Sequence, residues 1–379
     1  MSRWSMRFRL GVLLALAAAT AGAQRIDPAL QACLQKLPHP SAVSDFRPIA
    51  HLSSENQDTT LICWSFSTSS FVESEMERLG MPPVRLSVIY PMYCVFLEKA
   101  RRFVEEKGDS RFSPGDLFAG VLDIVRQYGA MPAAAYEGVK DPHTIYNHAA
   151  LYRDLDQLMR SVKQMQEWAA DGVVARVRTI LDRHLGAPPA TFRWDGKEYT
   201  PRSFADSVVR LPWDQYLLVT SFTYAPFGEF VALKVPDNWK HNANFFNVPL
   251  DQFETSLRGA IERGYTVAID ADISEPSYEQ TKQYAFIPTT DIPADSLTQG
   301  MRERLFDSGA TTDDHLMHVV SYRAFDGQDW YLVKDSWRTA WEGPNRGYMF
   351  FHSSYIRMKV LAYLVHRDAV PEIARMIRP

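Results

Sequence analysis

The fold of this chain is decided around one cysteine, in the stretch 56–66, which reads Asn-Gln-Asp-Thr-Thr-Leu-Ile-Cys-Trp-Ser-Phe. A helical pattern begins at Cys63, so its thiol lies in a first helical turn, where the helix dipole favours the reactive thiolate. Gln57 precedes Cys63 by six residues and can donate an N–H to the oxyanion that thiolate attack on a carbonyl creates. The stretch therefore supplies a candidate nucleophile and a candidate oxyanion donor, and a general base must come from elsewhere.

The candidate base lies near the C-terminal end of the chain. A segment with two histidines, His315 and His318, precedes a segment that contains Asp335, and a turn at Asp326-Gly327 joins them as antiparallel strands. Such strands can place a histidine near the start of one beside an aspartate near the end of the next. Because residues three apart in a strand point to opposite faces, only one histidine can face Cys63. A cysteine, a histidine and a third side chain that orients the ring form a triad with a thiol nucleophile.

These elements, Gln-x5-Cys-Trp followed by His and then Asp-Ser-Trp, resemble the papain-like cysteine peptidases. The similarity is strongest to the bleomycin hydrolase and aminopeptidase C branch and extends over nearly the whole chain. Four further segments resemble that branch in the same order: 86–90, 125–132, 200–204 and 247–250. The resemblance implies an α+β, papain-like two-lobe fold with an N-terminal helical lobe, a C-terminal β-rich lobe and a helical insertion.

The resemblance also assigns roles to the candidate site residues. It implies that Cys63 is the nucleophile and that Gln57 helps to hold the oxyanion. It favours His315 over His318 as the base, because His-Leu-Met at 315–317 resembles the His-Ala-Met of the branch. Asp335 stands where the family has the asparagine that orients the imidazole. The implied activity is hydrolysis of peptide bonds through an acyl-enzyme, with peptide or protein substrates and without a metal or organic cofactor.

Asp335 is the main departure from the family pattern. A carboxylate can accept the same imidazole N–H as an amide oxygen and also favours the imidazolium. Trp337 is expected to shield this contact from water. Arg338 and Ala340 stand where the family has glycine. These departures keep two alternatives open: a catalytically silent papain-fold binding protein, and an acyl transferase that passes the acyl group from the same thiol to an amine.

A metal site built from Asp313, His315 and His318 is a weaker alternative, since the sequence offers no further cluster of ligands beside them.

The N-terminal residues predict export. A basic segment, an apolar run over 10–19 and the small residues Ala21-Gly22-Ala23 have the layout of a secretory signal peptide. The apolar run is too short to span a bilayer. We expect a signal peptide at 1–23, a peptidase domain at 24–379 and a periplasmic or secreted product.

The net charge and the cysteine content limit which other partners and which disulfide we expect. The net charge of −4 comes without a basic run of the kind that nucleic acid requires, and we expect no stable membrane span. Assembly of identical copies stays open. With Cys63 as the nucleophile, Cys33 and Cys94 are either buried thiols or the only available disulfide pair.

Periodicity places the secondary structure around these motifs. Apolar residues at helical spacing predict three helices, over 63–79, 87–107 and 113–128, and a helical insertion at about 148–190. The C-terminal half predicts a helix at 251–263 and strands at 216–222, 265–270, 317–323, 330–335 and 347–351. The tail, about 366–379, resembles only the start of the tail that restricts the branch to amino-terminal residues. We therefore expect an open cleft and endopeptidase or mixed activity.

Overall fold

The computed structural model describes residues 28–138, 146–288 and 293–377. The predicted signal peptide and the last two residues of the predicted tail lie outside the described residues. The helices are α1 Pro28–Lys36, α2 Cys63–Arg78, α3 Ile89–Glu105, α4 Phe118–Tyr128, α5 Ala149–Met165, α6 Ala170–Leu185, α7 Pro201–Phe204, α8 Leu250–Glu262, α9 Gln299–Asp307, α10 Arg338–Glu342, α11 Ser353–Lys359 and α12 Pro371–Ala374.

The strands form one large sheet and one small hairpin. They are β1 Phe192–Trp194, β2 Lys197–Tyr199, β3 Tyr216–Thr220, β4 Phe230–Val231, β5 Phe245–Asn247, β6 Val267–Ala271, β7 Tyr278–Glu279, β8 Tyr284–Ala285, β9 His315–Phe325, β10 Gln328–Lys334, β11 Tyr348–His352 and β12 Val360–His366. The large sheet has ten strands in the order β4-β5-β3-β12-β6-β9-β10-β11-β8-β7. Helices dominate the N-terminal half and strands the C-terminal half, so the predicted α+β class is confirmed.

Helix α2 is the central helix of the molecule. Every residue from Trp64 to Met76 is buried, so the helix is covered on all sides. Small serines allow it to pack closely against β9, where the Ser67 hydroxyl donates to the Met317 carbonyl at 2.7 Å. This packing carries the start of α2, and with it Cys63, to the start of β9.

The predicted β9–β10 hairpin is present and turns where the sequence indicates. Asp326 and Gly327 both have positive φ, 46° and 79°, the combination that a two-residue hairpin turn with the right twist requires. Strand β9, predicted to begin at 317, begins two residues earlier, at His315, because its pairing with β6 extends to Ala271. This extension places His315 at the very end of the sheet pairing.

Helices α5 and α6 occupy the region of the predicted insertion. Leu151, Leu155, Met159 and Val162 make the buried face of α5. The chain breaks between the two helices at Gln166, which has the left-handed conformation with φ 55°. The predicted helical periodicity of this region is confirmed: α5 packs on α6, and α6 packs on α3.

The third predicted helix starts later than expected, at Phe118 instead of 113. Side chains from elsewhere bind the carbonyls of the preceding segment: Lys99 Nζ donates to Ser113 at 2.8 Å and Trp64 Nε1 to Pro114 at 2.9 Å. These tertiary contacts hold the segment, and residues 113–117 are not helical.

Within the described ranges, we find no helix with both the length and the apolar character needed to cross a bilayer.

Candidate active site

Cys63 is the first residue of α2, as predicted, and its side chain is half-buried with a free thiol. No side chain caps the amino end of this helix, whose N-cap residue is Ile62. The partial positive charge of the first turn therefore acts on the thiol without a competing capping carboxylate or hydroxyl. This is the setting in which a cysteine can act as a nucleophile.

Gln57 is completely buried and held by several bonds. Its side-chain oxygen accepts a hydrogen bond from the Ser336 hydroxyl at 2.6 Å, and its backbone N–H donates to the Ser336 carbonyl at 2.8 Å. Its amide nitrogen donates to the Thr60 carbonyl at 3.0 Å. An amide nitrogen carries two hydrogens, so the second one can still serve an oxyanion.

His315 and Asp335 meet as the antiparallel hairpin predicts. The two side chains are buried, and His315 Nε2 lies 2.7 Å from Asp335 Oδ1. A carboxylate oxygen only accepts, so Nε2 carries the hydrogen of this bond. Asp335 Oδ1 also accepts from the backbone N–H of Trp337 at 2.8 Å. Asp335 therefore holds the His315 ring in one orientation, and the Trp337 N–H holds Asp335 in place.

The other ring nitrogen of His315 is available to Cys63. Nδ1 has no hydrogen-bond partner of standard geometry among the residues that the structure describes. Burial alone lowers the pKa of His315, but the negative charges of Asp335 and Cys63 outweigh it and raise the pKa to about 10. The electrostatics of the site thus favour an imidazolium with the proton on the nitrogen that is free to exchange with the thiol.

Trp337 lies against the ring of His315, as the sequence predicted. The two ring centroids are 5.7 Å apart and the planes meet at 86°, an edge-to-face arrangement. The indole covers the imidazole and, with it, the hydrogen bond to Asp335. Excluding water from this bond strengthens it.

Tyr278 is a site residue that sequence analysis missed. Its hydroxyl donates to Asp335 Oδ2 at 2.5 Å, so the second oxygen of the carboxylate also has a donor. Tyr278 lies in the two-residue strand β7 and is buried. The surrounding segment has no periodic pattern and no motif, so no signal in the sequence pointed to it.

His318, the other candidate base, faces away from the cysteine. Its Nδ1 lies 2.8 Å from the Ser70 hydroxyl, which in turn accepts a hydrogen bond from Lys334 Nζ at 2.7 Å. Burial, followed by the charge of Lys334, holds the pKa of His318 well below its ordinary value. His318 is therefore a neutral residue between α2 and the sheet.

The three residues considered as a metal site do not converge. His315 binds Asp335 and His318 binds Ser70. The described part of the chain contains no group of three metal-ligating side chains.

The cysteines also show that the Cys33–Cys94 bridge is not formed, because Cys94 is a buried free thiol. Burial raises the pKa of the Cys94 thiol to about 12, which keeps it protonated and unreactive.

Comparison with known proteins identifies chains with a similar fold. No protein-family model matches the chain. No curated protein matches it by sequence. Among solved structures, the chain is similar to PepW from Lactobacillus rhamnosis, with a TM-score of 0.69 and 17% identity over 92% of this chain and 90% of that chain. A structure from work on the mite allergens Blo t 1 and Der p 1 matches with a TM-score of 0.42 and 11% identity over 87% of this chain and 71% of that chain.

The likeness to PepW covers almost the full length of both chains. It shows that the chain has a papain-like fold, with a helical N-terminal part and a sheet-rich C-terminal part. At 17% identity, the likeness shows the fold alone.

Proposed function

We propose that this protein is an exported cysteine peptidase of the bleomycin hydrolase and aminopeptidase C branch, which hydrolyses peptide bonds through an acyl-enzyme on Cys63. The observation that carries the proposal is the buried His315–Asp335 hydrogen bond of 2.7 Å, with the opposite ring nitrogen left to the thiol. A histidine held in this way by a carboxylate is the orienting arrangement of a catalytic triad.

The first half of the proposed reaction forms the acyl-enzyme. The Cys63 thiolate attacks the scissile carbonyl carbon, and the second N–H of Gln57 and the backbone N–H of Cys63 stabilise the resulting oxyanion. The tetrahedral intermediate collapses as the C–N bond breaks. The leaving amine takes the proton from Nδ1 of His315, which becomes neutral.

The second half releases the product. Neutral His315 accepts a proton at Nδ1 from a water molecule, which attacks the thioester carbonyl. The C–S bond breaks, a carboxylic acid leaves, and the thiolate–imidazolium pair is restored. Asp335 keeps the ring in one orientation during both steps and stabilises the imidazolium.

Asp335 in place of the family asparagine supports activity instead of arguing against it. Three protein groups donate hydrogen bonds to the carboxylate: the His315 ring, the Trp337 backbone N–H and the Tyr278 hydroxyl. These donors stabilise its negative charge in place of water. A protein that kept the fold only for binding would have no need for this arrangement. This hydrogen-bonded carboxylate therefore favours an enzyme over a silent binding protein.

The test is labelling with an epoxide-type thiol inhibitor at neutral pH, followed by mass-spectrometric mapping. We expect a single adduct on Cys63, because Cys94 is buried with a raised thiol pKa. Cys63→Ala should abolish both labelling and hydrolysis, while Cys94→Ala, the matched control, should retain both.

Two results would contradict the proposal: an adduct on Cys33 or Cys94 in place of Cys63, or no adduct on a folded protein. An acyl transferase would give the same adduct. Peptide cleavage in the presence of added amines distinguishes it, since a transferase forms amide products instead of free acids.

A further inference from the structure

The start of helix α5 holds the loop that carries the proposed oxyanion donor. His148 is the N-cap residue of α5, and Tyr152 follows one helical turn later on the same face. Both side chains contact the Thr60 hydroxyl: His148 Nδ1 lies 2.7 Å from Thr60 Oγ1, and the Tyr152 hydroxyl lies 3.0 Å from it. These partners are 88 and 92 residues apart in sequence, so the contacts tie the helical insertion to the loop before Cys63.

Further hydrogen bonds fix the backbone of the same loop. The Leu61 N–H donates to the Tyr152 hydroxyl oxygen at 3.3 Å. Two residues earlier, the N–H and the hydroxyl of Thr59 both donate to the Tyr146 carbonyl, at 3.1 and 2.8 Å. Thr59, Thr60 and Leu61 are therefore each held by the segment 146–152.

Thr60 connects this segment to Gln57. The amide nitrogen of Gln57 donates to the Thr60 carbonyl at 3.0 Å, and the Thr60 N–H donates to the Gln57 carbonyl at 3.1 Å. Both residues are fully buried. The bond to the Thr60 carbonyl uses one of the two amide hydrogens and so fixes the direction of the second one. A displacement of Thr60 would turn this second hydrogen away from an oxyanion formed at Cys63.

The hydrogen bonds around Thr60 have one consistent direction. Burial lowers the pKa of His148 to about 4, so the ring is neutral at neutral pH and Nδ1 can accept from the Thr60 hydroxyl. Burial raises the pKa of Tyr152 to about 12, so the phenol keeps its hydrogen and can donate it to Thr60 Oγ1. Each bond, from Leu61 to Tyr152, from Tyr152 to Thr60 and from Thr60 to His148, then has one donor and one acceptor.

We propose that Thr60 and Tyr152 are positioning residues of the reaction, which hold the Gln57 amide in line with the oxyanion. The inference rests on the proposed function, because the oxyanion forms only if Cys63 attacks a carbonyl. It gives the helical insertion a part in catalysis, exerted through the loop 57–61.

The test compares two reactions of the same thiol. Peptide hydrolysis passes through an oxyanion, whereas alkylation by iodoacetamide displaces iodide at a saturated carbon and forms no oxyanion. Tyr152→Phe removes only the hydroxyl that contacts Thr60 and Leu61. We expect kcat and kcat/KM for a fluorogenic peptide to fall together by on the order of tenfold, because the misplaced donor acts in the transition state alone. The rate of Cys63 alkylation and its pH dependence should equal those of the unmodified protein.

Variants of Thr60 examine the same contact from the other side. Thr60→Val replaces the hydroxyl with a methyl group and should give the same selective loss of hydrolysis. Thr60→Ser keeps the hydroxyl and should retain most of the activity. The matched control is Tyr93→Phe, which removes a hydroxyl that donates to Asp182 at 2.6 Å between α3 and α6. Its hydrolysis and its alkylation should both match those of the unmodified protein. If Thr60→Val does not fold, Tyr152→Phe decides the test alone.

Three results would overturn the inference and leave the peptidase intact. Unchanged hydrolysis in Tyr152→Phe would show that its hydroxyl does not position Gln57. Losses of equal size in hydrolysis and alkylation would show a structural role, since the thiol itself would then be disturbed. Equal losses in Thr60→Ser and Thr60→Val would exclude the hydroxyl of Thr60 as the cause.

Failure of the proposed function has a different outcome. If the unmodified protein cleaves no peptide, its affinity for a peptide aldehyde replaces kcat/KM, because thiolate addition to the aldehyde carbon leaves the negative charge on the oxygen. Binding that is weaker in Tyr152→Phe by on the order of tenfold would support the positioning role, and equal binding would overturn it. An unmodified protein that neither cleaves peptides nor binds the aldehyde would overturn the proposed function, and the positioning role with it.

Discussion

Replacing Asp335 with asparagine tests the electrostatic coupling at the centre of the proposed site. The substitution keeps the shape of the side chain and an oxygen that can accept from His315 and Trp337. It removes the negative charge, and it places an NH2 group where Oδ2 now accepts from Tyr278 at 2.5 Å. The hydroxyl of Tyr278 can accept from that NH2, but its own hydrogen is then left facing Met317 Sδ at 3.6 Å, a weak acceptor.

The size of the effect follows from the bonds that change. A hydrogen bond to a charged group contributes about 1.5–3 kcal/mol and a neutral one about 0.5–1.5 kcal/mol. The imidazolium of His315 therefore loses roughly 1–1.5 kcal/mol of stabilisation relative to the neutral ring, which corresponds to about one pKa unit. Asp335 is the leading cause that raises the pKa of His315 against burial, so its removal lowers that pKa.

The sign of the pH effect is fixed by the proposed mechanism. The reactive form needs His315 protonated, so activity is lost as pH rises through the pKa of the imidazolium. With that pKa at about 10, the alkaline limb of the unmodified protein should lie well above the range of an ordinary histidine. In Asp335→Asn, the limb should move to lower pH by about one unit, with substantial activity remaining at neutral pH.

Two assays read this shift independently. One is the pH dependence of kcat/KM with a fluorogenic peptide. The other is the pH dependence of Cys63 alkylation by iodoacetamide, which reports the thiolate–imidazolium pair without turnover. Identical pH profiles for the two proteins in both assays would refute the reasoning, because Asp335 would then carry no electrostatic coupling to His315.

Two further predictions separate the residues around this centre. His315→Ala should lower kcat/KM by on the order of a hundredfold or more, whereas His318→Ala should affect mainly stability; the opposite ranking in a rate and unfolding comparison would show that His318 is the base. Tyr278→Phe should lower kcat/KM by on the order of tenfold. Because the Asp335 charge is kept, the alkaline limb of its pH profile should not move to lower pH, and a downward shift like that of Asp335→Asn would contradict this assignment.

The elements that the sequence predicted well are those with local signals. Cys63 at the start of a helix, the β9–β10 hairpin with its Asp326-Gly327 turn and the paired helices near 148–190 each depend on spacing or turn chemistry within a short window. The meeting of His315 and Asp335 follows from the hairpin, whose register shifts by one residue between Leu332 and Val333 before it reaches them. The sequence signals for these features lie in the same short segments that form them.

What the sequence did not reveal depends on contacts between distant segments. Tyr278 reaches Asp335, and Ser336 holds Gln57, across parts of the chain that no periodicity relates. The late start of α4 has the same origin, since Lys99 and Trp64 hold the preceding segment through its carbonyls. Tertiary hydrogen bonds override local propensity at these places.

The position of β12 has a consequence for how the molecule is made. This strand lies in the interior of the large sheet, between β3 and β6, yet the ribosome synthesises it after both of them. A growing chain therefore cannot close the sheet as its strands emerge, and the gap between β3 and β6 stays open until Val360–His366 arrives. Such non-local pairing makes folding slow and leaves apolar strand edges exposed meanwhile. A nascent chain would therefore carry Cys63 long before the sheet that holds His315 is complete.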